Sequence, residues 1–182
     1  MEHRDYLQVT MNWVQTFVVN LNLCPFAGNS ILNKKLSQRL ILSASLEQIL
    51  TELFLEVDLM EKNLDLESSL VTVPNAPSNF KDYLDILEKA NELLTISGFE
   101  GVYQLASFHP GYQFAGTTLD AAENFTNRSP YPVFHIIRES SLSKAIDSFP
   151  GIEDIPNNNI EKMNSMGIQK LKELLQTVNP HF

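Results

Sequence analysis

The chain carries one cysteine, Cys24, in 182 residues. An intramolecular disulfide and a cysteine-rich zinc site are therefore both excluded, and such sparing use suits a reducing cytosol. Positive charge is also scarce: 13 Lys and Arg stand against 22 Asp and Glu, for a net charge of −9. Broad binding to nucleic acid or to an anionic membrane needs a basic face that displaces counterions, so neither partner is expected. No apolar run approaches the ~18–20 residues of a membrane span. The opening residues, MEHRDYLQVTMNWVQ, have neither an uninterrupted apolar stretch nor a small-residue cleavage site, and do not read as a secretory signal. Without export the Asn124-Phe125-Thr126 sequon is a chance match, and a cytoplasmic location is expected. Repeats, linkers and charge blocks are lacking too, which leaves residues 1–182 as a single domain.

What is present suits a packed globule. The apolar fraction is 43% and the charged fraction 19%, ordinary values for a folded chain. A domain of this length buries roughly 70% of its unfolded surface and needs no covalent staples.

The periodicities order the elements. Leu7, Met11, Val14, Val18 and Leu21 recur at helical spacing, with Trp13 and Phe17 widening the face. Pro25 stops that helix. Leu40–Leu42 reads as a short strand, and Ser45 with Gln48 as the capping box of a second helix through Leu46, Leu53 and Val57. Leu70–Val73 is the next strand. A third helix runs through Phe80, Tyr83 and Leu94 to a Gly98 cap. Val102–Phe108 and Val133–Ile137 are strands, and helices follow to the end, the last two divided by Gly167. Ile168, Leu171, Leu174 and Leu175 account for the final helix as an amphipathic core face. The expected fold is α+β: a mixed sheet of about four strands, helices packed on it and a helical C-terminal tail. Crossover helices imply parallel pairing early on, and the last two strands pair as an antiparallel hairpin.

Between those last strands, residues 109–132 show no periodicity. Structureless connections beyond about 12–15 residues are uncommon in compact domains and are usually functional or disordered. The density of aromatics and prolines predicts an ordered loop, with Tyr112, Phe114 and Tyr131 packed on the sheet. His109, Tyr112, Asp120, Asn127, Arg128, Ser129 and Tyr131 lie in it, and His135, Arg138 and Glu139 on the strand beyond. Alternation puts His135, Ile137 and Glu139 on one face and Arg138 on the other. Histidine titrates near neutrality and serves as acid, base or metal ligand, while arginine grips carboxylate or phosphate. Each residue also has a plain structural reading, as a strand-end cap, a hydrogen-bonded core group or a solvated terminus. Cys24 follows a helix C-terminus, whose negative potential opposes a thiolate. It is expected to be buried and inert.

The segments LNLCPFA, YQLASFHPGYQFAGT and NFTNRSPYPVFHIIRES together resemble an uncharacterised bacterial family, domain of unknown function family 1415, from about Trp13 to Gly167. The resemblance implies no particular reaction. It picks out Cys24, Pro25, Phe26, His109, Pro110, Tyr112, the run Asn127 to Pro132, His135, Arg138 and Glu139 as motif positions. Two departures stand out. The family pattern has an aspartate where this chain has Gly111, and paired aspartates where it has Asp120-Ala121, so a metal site built on those carboxylates is not implied.

Three functions follow, in this order. The first is a site for a small anionic molecule, a carboxylate or phosphate, on the 107–139 loop and strand. Arg128 and Arg138 hold the anion beside Tyr112, Asn127, Ser129 and Tyr131. His109 and His135 act as acid or base, with Glu139 orienting an imidazole, and an enzyme of this kind is a hydrolase or transferase. The second is a divalent-metal site of His109, His135 and Asp120, although no HxH or HExxH spacing supports it. The third is a non-catalytic interaction module that presents the aromatic loop.

Overall fold

Four short strands pair in the order β1-β2-β4-β3 in a computed structural model of the chain, which describes residues 3–179, with side chains from residue 5. They are β1 (Leu36–Leu40), β2 (Ser68–Thr72), β3 (Tyr103–Phe108) and β4 (Val133–Arg138). Seven α-helices accompany them among the described residues: α1 (His3–Trp13), α2 (Ala27–Leu32), α3 (Leu46–Lys62), α4 (Phe80–Ile96), α5 (Glu139–Asp147), α6 (Ile155–Met166) and α7 (Ile168–Val178). β1 and β2 are parallel, because α3 crosses over between them. β4 is antiparallel to both β2 and β3. The fold is α+β with a mixed sheet and helices at the C-terminus. No described helix is long and apolar enough to cross a membrane.

The sheet divides the interior into two cores. Strand side chains alternate between faces, and β4 shows the consequence. Phe134 and Ile136 join Ile49, Val57, Tyr83 and Ile86 from α3 and α4. Val133 joins Trp13, Phe17, Phe125, Met163, Leu171 and Leu175 on the other face. Tyr83 ties the first core to the strand, its hydroxyl donating to the Val133 carbonyl at 2.8 Å.

Local chemistry explains most boundaries. Asn79 caps α4 by accepting from the Lys81 N–H at 2.9 Å, and Gly98, at φ +81°, supplies the left-handed residue that ends it. Ser45 stands at the N-cap of α3 but makes no side-chain cap bond, so the capping box with Gln48 does not form. β1 lies earlier than Leu40–Leu42. The polar run Ser37-Gln38-Arg39 is edge strand, where Ser37 and Arg39 meet the buried Glu56 of α3 at 2.8 and 3.1 Å.

The first helix also differs from a regular stripe. After Trp13 it widens into a π-helical segment, Val14–Val19. The buried residues are Thr10, Trp13, Val14 and Phe17, whereas Leu7, Met11, Val18 and Leu21 are half-buried. A 3.6-residue period cannot anticipate that rotation. Such π segments occur frequently at functional sites.

Candidate functional site

The sheet face that carries Trp13 is not filled along its whole length. A cavity of about 270 Å³ lies there, larger than the ~150 Å³ that admits a benzene and just below the ~300–1,000 Å³ of pockets for drug-sized ligands. Its floor is legible from strand register. Leu70, His135 and Ala106 form one row across β2, β4 and β3, and Leu36, Ser68 and Ile137 form the next. Trp13, Val14 and Val18 wall one side, Cys24, Phe26, Ala27 and Ser30 a second, and Ser141, Leu142 and Ala145 of α5 a third. The lining is chiefly apolar.

Two of the lining residues each carry a buried polar atom. Trp13 Nε1 and His135 Nε2 are buried with no hydrogen-bond partner, the only such side-chain atoms among the described residues. Both side chains line this one cavity, and both rings pack near Phe108, with centroids at 5.1 Å for Trp13 and 6.3 Å for His135. A buried polar group without a partner costs about 1–3 kcal/mol, and native exceptions call for a reason. Burial pushes the His135 imidazole down to about 4, so it is neutral at physiological pH. At the cavity edge Glu67 accepts from Lys35 at 2.7 Å and Ser30 at 2.8 Å. Burial works to raise its carboxyl, and those bonds together outweigh it and hold the group below the usual carboxylate range.

Cys24 belongs to the cavity as well. It is half-buried and forms no disulfide, which corrects the expectation of a fully buried thiol. The turn that carries it is pinned from α6, where Asn159 donates to the Leu23 carbonyl at 2.9 Å and Lys162 to the Leu21 carbonyl at 2.5 Å.

The other residues singled out by sequence do not meet there. His109 is buried and satisfied by backbone at both ring nitrogens: Nε2 donates to the Pro77 carbonyl at 3.1 Å and Nδ1 accepts from the Gly111 N–H at 3.0 Å. Burial lowers its pKa, against the opposing bond to Pro77. It packs on Phe80 and Tyr83 of α4, at 5.4 and 5.0 Å, on the sheet face opposite His135. The reason is parity: Phe108 pairs with Val133, so His109, one residue further, turns the other way.

The arginines are internal ties rather than an open anion cradle. Arg128 donates to the carbonyls of Tyr112 (3.2 Å) and Leu119 (2.6 Å) and stacks 4.7 Å from the Phe125 ring. Arg138 donates to the carbonyls of Leu66 (3.2 Å) and Met60 (2.6 Å) and to Glu61 (3.2 Å). Asn127 donates to the Ser107 carbonyl and Ser129 to that of Tyr131. Tyr112 rests on Phe80 and Tyr131 on Tyr6 of α1, at 4.8 and 5.1 Å, so the loop aromatics pack on helices more than on the sheet. Asn124, completely buried, holds the loop together by accepting from Phe114 N–H and the Thr117 hydroxyl and donating to the Thr118 carbonyl. Glu139 opens α5 outside the cavity lining, and Asp120 is exposed. No group of three or more His, Cys, Asp or Glu among the described residues is placed to hold a metal ion, so His109, His135 and Asp120 do not form one.

Trp13, Ala106, Phe108, Ser68 and Ser141 were not identified from sequence as site residues. Only Trp13 carried a signal: an indole N–H on an otherwise apolar helix face has to find a partner somewhere. Comparison with known proteins adds one finding. The family model described as "Protein of unknown function (DUF1415)" matches residues 5–173. No curated protein and no solved structure matches the chain.

Proposed function

We propose, for a chain that belongs to the DUF1415 family, that it binds a small, mostly apolar, uncharged molecule carrying an oxygen function in the cavity over β2, β3 and β4. The observation that carries this reading is an apolar cavity lined by Trp13 and His135, the two residues whose ring nitrogens Nε1 and Nε2 are buried without a partner. An indole N–H can only donate, so the ligand brings an acceptor; a neutral imidazole takes either role. Small-molecule sites are commonly of this kind, apolar with few convergent polar groups. An anion is disfavoured at this position, because the lining offers the ionised Glu67 and no arginine. The small-molecule reading of the 107–139 region therefore moves from the loop arginines to the His135 face of β4.

The test is a ligand titration followed by thermal shift and by NMR of the His135 ring. The probes are 2-heptanone, hexanoate and inorganic phosphate. The ketone is expected to stabilise the protein and shift the imidazole signals, with both effects lost in His135→Phe. Stabilisation by phosphate or hexanoate alone, abolished by Arg128→Ala, returns the site to the arginines and ends this proposal.

A further inference from the structure

We infer that a second cleft, formed by α6 and the turn after the first helix, binds a free α-amino acid with an apolar side chain as its zwitterion. The cleft has a volume of about 340 Å³, within the ~300–1,000 Å³ of small-molecule sites. Its lining is mixed, where that of the cavity over the sheet is chiefly apolar. Asp154, Asn158 and Lys162 line it from α6 and its N-cap, Asn22 and Pro25 from the turn, and Phe149 from the segment after α5.

The spacing of the charges carries the inference. Asp154 stands at the N-cap of α6, and Asn158 and Lys162 follow at intervals of four residues, which places the three on one helix face. A helix rises about 1.5 Å per residue, so the carboxylate and the ammonium are rooted about 12 Å apart along the axis. Neither forms an ion pair among the described residues, and Asp154 makes no side-chain cap bond. Lys162 Nζ donates to the Leu21 carbonyl at 2.5 Å, and an ammonium has further N–H donors to offer. Asn159, buried in the same lining, donates to the Leu23 carbonyl at 2.9 Å. That bond locks α6 to the turn and holds the two walls together.

An α-amino acid carries both charges on one carbon and so answers both ends of the stripe. Asp154 accepts from its ammonium, Lys162 donates to its carboxylate, and the amides of Asn158 and Asn22 serve either role. The side-chain class follows from the apolar part of the lining. Phe149 is 38% exposed, its ring held edge-on against Phe26 at 5.7 Å, and Pro25 and Ile155 extend that surface. A simple anion would meet Asp154 and a simple cation Lys162. A polyol would use the amides and neither charge.

The experiment is calorimetric titration of the full chain, with NMR of the Asn158 and Asn159 side-chain amides. The probes are L-leucine, leucinamide, N-acetyl-leucine and glucose. L-Leucine is expected to bind saturably and to shift those amide signals. Leucinamide lacks the carboxylate and N-acetyl-leucine the ammonium, and each should bind at least about tenfold more weakly, as should L-leucine to Asp154→Asn. Deleting the carboxylate from the ligand tests Lys162 without cutting its bond to Leu21. Asp154 is exposed, so Asp154→Asn should keep the wild-type urea midpoint. Absence of saturable L-leucine binding overturns the inference, as does equal affinity in Asp154→Asn or for leucinamide. Binding of glucose in place of L-leucine overturns it in favour of a polyol site. 2-Heptanone reports separately on the cavity over the sheet. If the ketone displaces L-leucine, the amino acid sits in that cavity and the inference ends. If the ketone binds and L-leucine does not, the cavity reading stands and the second site falls.

Discussion

Ala106 is the cross-strand partner of His135 in the β3–β4 pair, and its methyl group leaves the space beside the imidazole from which the cavity opens. Leu70 flanks the same ring from β2, so the row is large on one side and small on the other. Ala106→Leu would push three more carbons into the cavity floor. We expect that variant to keep the fold, to gain about 0.5–2 kcal/mol from filling the void, and to lose 2-heptanone binding. Unaltered ketone affinity in a folded Ala106→Leu protein would mean that the ligand, if any, sits elsewhere.

His135 itself should trade stability for function. Its Nε2 is buried without a partner, whereas replacing a polar group by an apolar one of similar shape removes that penalty. His135→Leu is expected to raise stability by about 1–2 kcal/mol. The readout is the urea midpoint at pH 7.5, with an unchanged slope showing that only stability moved. A clear loss of stability would show that the imidazole supports the sheet.

The same residue sets a pH dependence of definite sign. An unfolded histidine titrates near 6.5, whereas burial holds His135 at about 4 in the folded protein. As pH falls through about 6.5 the unfolded chain binds a proton that the folded one refuses, so stability declines until about pH 4, by at most about 3 kcal/mol. His109, lowered chiefly by burial, acts in the same direction. Glu67 sits at the cavity edge with its carboxyl held low; its contribution is present above the unfolded value of about 4.3 and is lost only below it. The slope between about pH 6.5 and 4.5 therefore belongs to the histidines. Urea titrations at stepped pH should show that slope reduced in His135→Leu, and an identical slope in both proteins would count against a buried neutral His135.

The sequence made the hairpin and its ordered connection legible, because two β-rich runs flanked a loop dense in aromatics and prolines. It also placed His135 on a strand, where alternation assigns a face. It did not settle which residues share that face across strands. His109 and His135 fall on opposite sides because Phe108 pairs with Val133, and a shift of one residue in register would have reversed this. The cavity was illegible for a different reason. Trp13, Cys24, Ala106, His135 and Ser141 come from separate segments, and no local pattern marks a place that side chains fail to fill. A guanidinium suited to an anion is equally suited to backbone carbonyls, and carbonyls of the loop for Arg128 and of the α3 end for Arg138 are the partners the two side chains meet.

Those partners make the last prediction. Arg128 closes the loop on itself through the carbonyls of Tyr112 and Leu119, whereas Arg138 joins β4 to the end of α3 through Met60, Glu61 and Leu66. Truncating Arg138 removes two buried hydrogen bonds, at about 1–3 kcal/mol, whereas truncating Arg128 removes two part-buried ones and costs less. Lysine should not restore either one, since an ammonium is a point charge where each guanidinium spans two or more acceptors. The location of the damage should differ. Arg128→Ala is expected to expose residues 111–128 to rapid proteolysis with only part of the global stability lost. Arg138→Ala should lower the urea midpoint while leaving that loop resistant, because its bonds cross between core elements. Equal protease resistance in Arg128→Ala and wild type would show that Asn124, with its bonds to Phe114, Thr117 and Thr118, holds the loop without the arginine.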